Sequence, residues 1–151
     1  MKVMVFALVL CGAAVAGGSG AVVETAPRGL DRDSRVIAAM NAAWQQAWGS
    51  STENIEAGFR IDSGIDGYSV VPQPQTNQKM RETMSVVRGV TTAIFHVHPQ
   101  TGDPRPSSGD RKIAEEYGVQ VYVMHISGLY VYDPVSKQTT KLRNNVSWLK
   151  P

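Results

Sequence analysis

Cysteine is nearly absent from this chain of 151 residues, in which Cys11 is the only one. The chain cannot form an internal disulfide, so its fold must be stabilised by packing. A metal site built from cysteine thiolates is excluded as well, because such a site needs several of them.

The chain also lacks any concentration of charge of one sign. Lys and Arg number 15 against 13 Asp and Glu, which gives a net charge of +2. Neither a Lys/Arg-rich run nor an alternation of aromatic and basic residues is present, so we expect no nucleic-acid partner. There is no internal repeat, and a composition of 42% hydrophobic and 19% charged residues indicates one ordinary globular domain.

Long apolar runs are missing beyond the N-terminus. The run at residues 3–15 follows a lysine and ends in the small-x-small sequence Ala14-Val15-Ala16, a pattern typical of signal peptides. We predict a signal peptide over residues 1–16, cleaved after Ala16, and a mature chain that is secreted or periplasmic. The run is shorter than the about 20 residues of a membrane span, so the mature form is expected to have none.

A lipoprotein signal is the alternative, because Cys11 follows an apolar stretch and precedes a glycine. A lipid-modified cysteine is normally preceded by a small residue, and Leu10 is not small. Plain secretion is therefore favoured, and cleavage would remove the only cysteine.

A helix is predicted near the start of the mature chain. Residues 17–33 are rich in glycine and indicate a flexible leader. Apolar residues then recur at helical spacing over about four turns, with Asp33 or Ser34 as N-cap and Gly49 as the stop. We expect the apolar stripe of this helix, including its two tryptophans, to pack in the core.

The remaining pattern predicts strands and a second helix, and residues 34–151 are expected to form one domain. Strands are predicted at 54–61, 68–71, 83–87, 91–98, 119–126 and 129–132, a surface loop at 72–79 and a helix at 107–117. This order favours an α/β or α+β fold, with a central mixed β-sheet flanked by helices.

Two histidines end the strand predicted at 91–98. His96 and His98 are two residues apart, so their side chains should project from the same face of the strand. Asp110 follows at the start of the second helix. Two imidazoles and one carboxylate leave the fourth position of a tetrahedral zinc ion open for water, which is the arrangement of catalytic zinc. The pattern therefore predicts a metal-dependent hydrolase.

The same helix start also fits a capping box, with Ser107 as N-cap and Asp110 three residues later. As an isolated motif, capping is the commoner explanation. The two roles are compatible, because an aspartate held in the first helical turn can still face the preceding loop. His125 lies on the strand predicted at 119–126, where we expect a packed, hydrogen-bonded side chain and not a ligand.

Together these residues resemble the signature of JAMM zinc metalloproteases, the JAB1/MPN-domain family, which reads Glu, then His-x-His-Pro, then Ser-x-x-Asp. Glu56 is the best-placed glutamate. The similarity is greatest to secreted or toxin-associated bacterial proteins of the DUF4329 type, which have a late strand like Tyr130-Val131-Tyr132-Asp133-Pro134. The resemblance covers about residues 52–134 and implies an MPN or cytidine-deaminase-like sandwich.

Two departures from the family pattern are visible. The interval between His98 and Ser107 is one residue longer than is commonest, which a loop containing glycine and prolines can absorb. The chain also lacks the length for the insertions with which eukaryotic deubiquitinases hold ubiquitin, so ubiquitin is not implied as the substrate.

The resemblance implies a role for each residue. His96, His98 and Asp110 would bind Zn²⁺, Glu56 would act as general base, and Ser107 would hydrogen-bond the developing oxyanion. The reaction implied is hydrolysis of an amide or isopeptide bond in a peptide or isopeptide substrate.

Two other interpretations stay open beside this one. Glu53 competes with Glu56, but in a strand residues three apart face opposite sides, so at most one faces the metal. The alternatives to an enzyme are a non-catalytic secreted binding or scaffold module on the same fold and a toxin-associated domain.

Overall fold

The computed structural model describes residues 29–48, 56–73 and 85–149, and these form an α+β fold. A mixed sheet of six strands has one α-helix packed on each face, which confirms the expected central sheet flanked by helices. The elements are α1 (Ser34–Trp48), β1 (Gly58–Gly64), β2 (Gly67–Pro72), β3 (Thr91–Val97), α2 (Ser108–Tyr117), β4 (Gln120–His125), β5 (Gly128–Asp133) and β6 (Gln138–Arg143).

The strand order is β2-β1-β3-β4-β5-β6, and β3 and β4 form the parallel pair of the sheet. A parallel pair needs a crossover, and α2 provides it. The carboxyl ends of β3 and β4 therefore meet at one edge of the sheet, and the chain passes from β3 at this edge into the N-terminus of α2. Both central strands are buried on both faces because each face is covered by a helix.

The face beneath α1 carries the larger core. Asp33 caps α1 by accepting hydrogen bonds from the backbone of the first turn, as the capping pattern predicts. The apolar stripe of α1 packs on a column of three stacked rings, in which Phe95 lies 4.7 Å from Phe59 and 4.2 Å from Tyr122 between ring centroids. Trp44 packs against this core, while the side chain of Trp48 lies outside the described part.

The other face is covered by α2, which begins at its Ser107 cap and ends at Gly118 in the left-handed conformation. Ala114 is fully buried, and the apolar stripe of α2 packs on residues of β3, β4 and β5. Because α2 covers this face, the residues at its N-terminus lie over the carboxyl end of β3.

Several predicted boundaries are wrong. Residues 85–87 are not in a strand, although 83–87 was predicted as one; residues 83 and 84 lie outside the described ranges. Residues 29–33 are not a flexible leader, because Leu30–Arg32 forms a short 3-10 helix with Leu30 buried. β1 also begins and ends later than predicted, since pairing with β2 continues to Gly64.

One strand is missing from the sequence-based prediction. Five of the six residues of β6 are exposed, so the strand has no apolar alternation to reveal it, and it forms by pairing with β5 at the sheet edge. The predicted signal peptide, residues 17–28 of the leader and residues 74–79 of the predicted surface loop lie outside the described residues. Neither helix in the described ranges combines the length and hydropathy that a membrane span requires.

Candidate metal centre

The two histidines occupy the carboxyl end of β3. His96 lies within the strand, and His98 extends its alignment because its N–H donates to the carbonyl of Met124 on β4 at 2.9 Å. Both side chains therefore project from the same face, the one that α2 covers, as the two-residue spacing predicts. Both are buried, and their Nε2 atoms lie 3.0 Å apart.

Asp110 reaches the pair from the first turn of α2. Its Oδ1 lies 3.4 Å from His96 Nε2, and its Oδ2 lies 3.6 Å from His98 Nε2. The capping box is present as well: Ser107 Oγ accepts from the Asp110 N–H at 3.2 Å, and Asp110 Oδ2 accepts from the Ser107 N–H at 2.6 Å. The expected capping role is confirmed, and the cap holds the carboxylate where its oxygens face both histidines.

The three side chains lie close enough together to hold one metal ion. The two Nε2 atoms are 3.0 Å apart, and each faces a different oxygen of Asp110, at 3.4 Å from His96 and 3.6 Å from His98. One ligand atom from each residue gives a set within 4.8 Å of one another, whereas ligand atoms held 2.0–2.1 Å from a tetrahedral ion are separated by about 3.3 Å. Among the described residues, His96, His98 and Asp110 form the cluster of side chains that could hold a metal ion.

A backbone carbonyl orients one of the two rings. His98 Nδ1 lies 2.7 Å from the carbonyl oxygen of Asp103, so Nδ1 carries the proton and Nε2 is left as the electron-pair donor. His96 Nδ1 is buried without a hydrogen-bond partner. The orientation of His98 is therefore fixed by hydrogen bonding and that of His96 by packing in β3.

The carboxylate of Asp110 is held in its charged form. Burial raises its pKa, but the charge and hydrogen bonds of His96, together with hydrogen bonds from His98 and Ser107, outweigh burial and leave the pKa well below its usual range. Asp110 therefore offers an anionic oxygen to the cluster.

The pKa of His98 is shifted in the opposite direction, upward. Burial lowers its pKa, but hydrogen bonds to the Asp110 carboxylate and the Asp103 carbonyl, with the charges of Asp110 and Glu56, outweigh burial and raise it. The raised pKa widens the pH range over which this ring is protonated, and below that pKa a metal ion that binds there displaces a proton.

Glu56 stands at the entrance to the same site. It lies two residues before the start of β1, where Val97 N–H donates to the carbonyl of Ala57 and Gly58 pairs with His96. Its half-buried side chain lines a cleft of about 290 Å³ together with the three candidate ligands and Ser107. The structure thus brings all five predicted site residues to one cleft, whereas Glu53 lies outside the described residues.

Two further charged residues, which the sequence patterns did not indicate, line the cleft. Asp103 and Arg105 form an exposed ion pair in the loop between β3 and α2, and the Arg105 guanidinium lowers the pKa of Asp103 to about 2. Asp103 contributes its backbone carbonyl to His98, and every residue has such a carbonyl. No residue pattern could have identified it.

His125 is not part of the cluster. Its Nδ1 lies 2.8 Å from Ser127 Oγ, and its Nε2 faces the carbonyl of Gln100 at 3.4 Å. It is buried and hydrogen-bonded, as expected from its position in the strand.

A larger cleft of about 610 Å³ lies at the opposite end of the sheet, beside Thr91 at the start of β3. Its lining includes the hydroxyls of Ser63, Tyr68 and Tyr117 but no histidine, carboxylate or basic side chain. Of these two clefts, only the smaller one is lined by histidine and carboxylate side chains that acid–base or metal chemistry would need.

Comparisons with protein-family models, with curated proteins and with solved structures find no match to this chain. The resemblance to JAMM proteases accordingly depends on the motif residues alone.

Proposed function

We propose that this protein is an exported zinc-dependent hydrolase that cleaves an amide or isopeptide bond. The observation that carries the proposal is the convergence of two imidazole nitrogens and one carboxylate oxygen within 4.8 Å of one another, in a cleft that Glu56 and Ser107 also line. Two nitrogens and one oxygen suit zinc better than calcium or magnesium, which prefer oxygen ligands alone.

Each residue at the cleft has a chemical task in this proposal. His96, His98 and Asp110 would hold the ion, which when bound supplies Lewis acidity and lowers the pKa of a coordinated water to about 7. Glu56, at the cleft wall, would accept a proton from water and return it to the leaving nitrogen. Ser107, at the N-terminus of α2, would donate a hydrogen bond to the oxyanion as the carbonyl carbon becomes tetrahedral.

The test separates metal binding from catalysis. Zinc content and hydrolysis of a panel of fluorogenic peptide and isopeptide substrates are measured for the wild type, Glu56→Gln, His96→Ala and the control Glu116→Gln, an exposed glutamate on α2. We expect Glu56→Gln to keep zinc and lose about 10²- to 10⁴-fold in rate, the usual contribution of general acid–base catalysis. His96→Ala should lose both zinc and activity, and Glu116→Gln neither.

Other outcomes favour the alternatives. If the wild type binds zinc but cleaves nothing in the panel, the non-catalytic binding or scaffold module becomes the better interpretation. Equal rates for Glu56→Gln and the wild type would remove Glu56 from the mechanism.

Export is proposed on the N-terminal pattern. We expect a mature N-terminus near Gly17 when the full chain is expressed in a secreting host, determined by intact-mass spectrometry. A lipid on Cys11 would instead indicate a lipoprotein, and an uncleaved Met1 would contradict export by this route.

A further inference from the structure

The loop of residues 99–106, called here the metal loop, connects the two halves of the candidate metal centre. It begins directly after His98 and ends directly before Ser107, the cap that orients Asp110. Two of its backbone carbonyls accept from histidine rings: Asp103 from His98 and Gln100 from His125. Only the first of these histidines is a candidate ligand.

His125 belongs to a chain of three side chains from the β4–β5 turn. The Tyr130 hydroxyl lies 3.1 Å from Ser127 Oγ, which lies 2.8 Å from His125 Nδ1. Tyr130 and His125 are both buried. The chain therefore joins the middle of β5 to the carboxyl end of β4 within the protein interior.

The backbone determines which nitrogen of His125 carries the proton. The Ser127 N–H donates to His125 Nδ1 at 3.1 Å, and a backbone N–H can only donate. Nδ1 is therefore the acceptor, and the proton of the neutral ring is on Nε2, which faces the Gln100 carbonyl. The backbone N–H of Ser127 thus makes His125 Nε2 a hydrogen-bond donor toward the metal loop.

We propose that His125 is a positioning residue that attaches the metal loop to the β4–β5 turn and thereby holds His98 and Asp110 in register. The other bonds of the loop are that of the Asp103 carbonyl with His98 itself, the internal bonds from Gly102 N–H to Pro99 and from Arg105 to the Asp103 carboxylate, and the bond from Arg111 on α2 to the Pro106 carbonyl at the loop's end. His125 is therefore the contact from the β4–β5 turn to the middle of the loop. The inference depends on the proposed metal site but not on the proposed hydrolysis.

The first measurement uses Co²⁺ as the probe, titrated into the metal-stripped full chain, because its visible spectrum reports ligand geometry. We expect His125→Phe to weaken Co²⁺ binding by about 10- to 100-fold, the usual effect of losing a partner outside the ligand set, and to alter the spectrum. His125→Gln can still donate to Gln100 and should restore most of the affinity. The control is Tyr132→Phe on the neighbouring strand β5, which removes a hydroxyl that donates to Glu115 on α2 and has no part in the hydrogen bonds of His125.

The second measurement is amide hydrogen exchange in the metal-free protein, read over residues 99–106. His125→Phe should accelerate exchange there by about two- to tenfold, the effect of losing one hydrogen bond, while Tyr132→Phe should not. If His125→Phe does not fold, Ser127→Ala and Tyr130→Phe take its place and should accelerate exchange in the same residues.

If a folded His125→Phe, Ser127→Ala or Tyr130→Phe variant shows unchanged hydrogen exchange over residues 99–106, the proposal is overturned. It is also overturned if Tyr132→Phe accelerates exchange there to the same extent. A wild type that binds no Co²⁺ would refute the proposed metal site, and the exchange experiment would still decide whether His125 positions the loop.

Discussion

At the scale of single residues, Asp110 would combine capping, which the structure shows, with the metal binding proposed for it. One oxygen of its carboxylate accepts from the Ser107 N–H, and both oxygens face the histidine pair. A capping box stabilises the fold, whereas a metal ligand contributes to the affinity for the metal ion. The two contributions can be separated because they depend on different properties of the side chain.

We predict that Ser107→Ala mainly lowers the stability of the protein, whereas Asp110→Asn mainly lowers its zinc affinity. Ser107→Ala loses the cap and should lower the free energy of unfolding by about 0.5–2 kcal/mol while zinc still binds. Asp110→Asn keeps an oxygen to accept from Ser107 but loses the negative charge, so zinc affinity should fall by at least about 100-fold, and the metal-free protein should also lose the stability that the charged carboxylate gains beside the histidines.

Urea unfolding in the presence of a chelator measures the first quantity, and competition with a zinc indicator measures the second. Equal loss of zinc affinity in both variants would show that the cap and the ligand cannot be separated.

At the scale of elements, the close approach of β1 to β3 holds Glu56 near the histidines. A Cβ at Gly58 would lie 2.4 Å from the Phe95 carbonyl oxygen and 3.0 Å from His96 Cβ. Glycine at this position therefore lets the strands approach beside the site, and the contact is to backbone that cannot move aside without shifting a strand.

Gly58→Ala should therefore separate the two strands at the site. We expect a loss of about 1–3 kcal/mol in the free energy of unfolding, the usual cost of overpacking, together with weaker zinc binding. Gly64→Ala is the matched control on the same strand, because its Cβ would meet only an ordinary contact at 3.6 Å. Thermal unfolding of both variants measures the difference, and equal melting temperatures would contradict the explanation.

The elements differed in how well the sequence predicted them. The two helices were predictable because their caps and apolar spacing are local signals, as Asp33, Ser107 and Gly118 show. The strand β6 was not predictable from the sequence, because its side chains are exposed and it forms by pairing with β5. Leu30 was missed because one buried residue in a polar segment forms no periodic pattern.

At the scale of the whole molecule, a bound ion would connect β3 to α2 and stabilise the folded state by mass action. A ligand that binds only the native protein adds about 2.7 kcal/mol at a free concentration 100 times its Kd. For a domain of this size we predict a rise of several degrees in Tm on adding zinc.

The rise should be reversed by a chelator and absent in His96→Ala, which keeps the fold but removes one ligand. Differential scanning calorimetry at matched protein concentration makes the measurement. An equal rise in His96→Ala would assign the stabilisation to zinc bound elsewhere on the chain.

The helix caps, the shared face of His96 and His98 and the α+β order of elements were all predictable from the pattern of residue types. The caps and the shared face follow from backbone geometry over two to four residues, and the order of elements follows from such local patterns read along the chain.

Only the tertiary structure decided that Glu56 lines the same cleft and that Asp110 faces both histidines while it caps α2. It also decided that the Asp103 and Gln100 carbonyls accept from His98 and His125. Strand order and loop path bring these groups together, and a backbone carbonyl is the same in every residue, so no pattern of side chains can indicate which one is used.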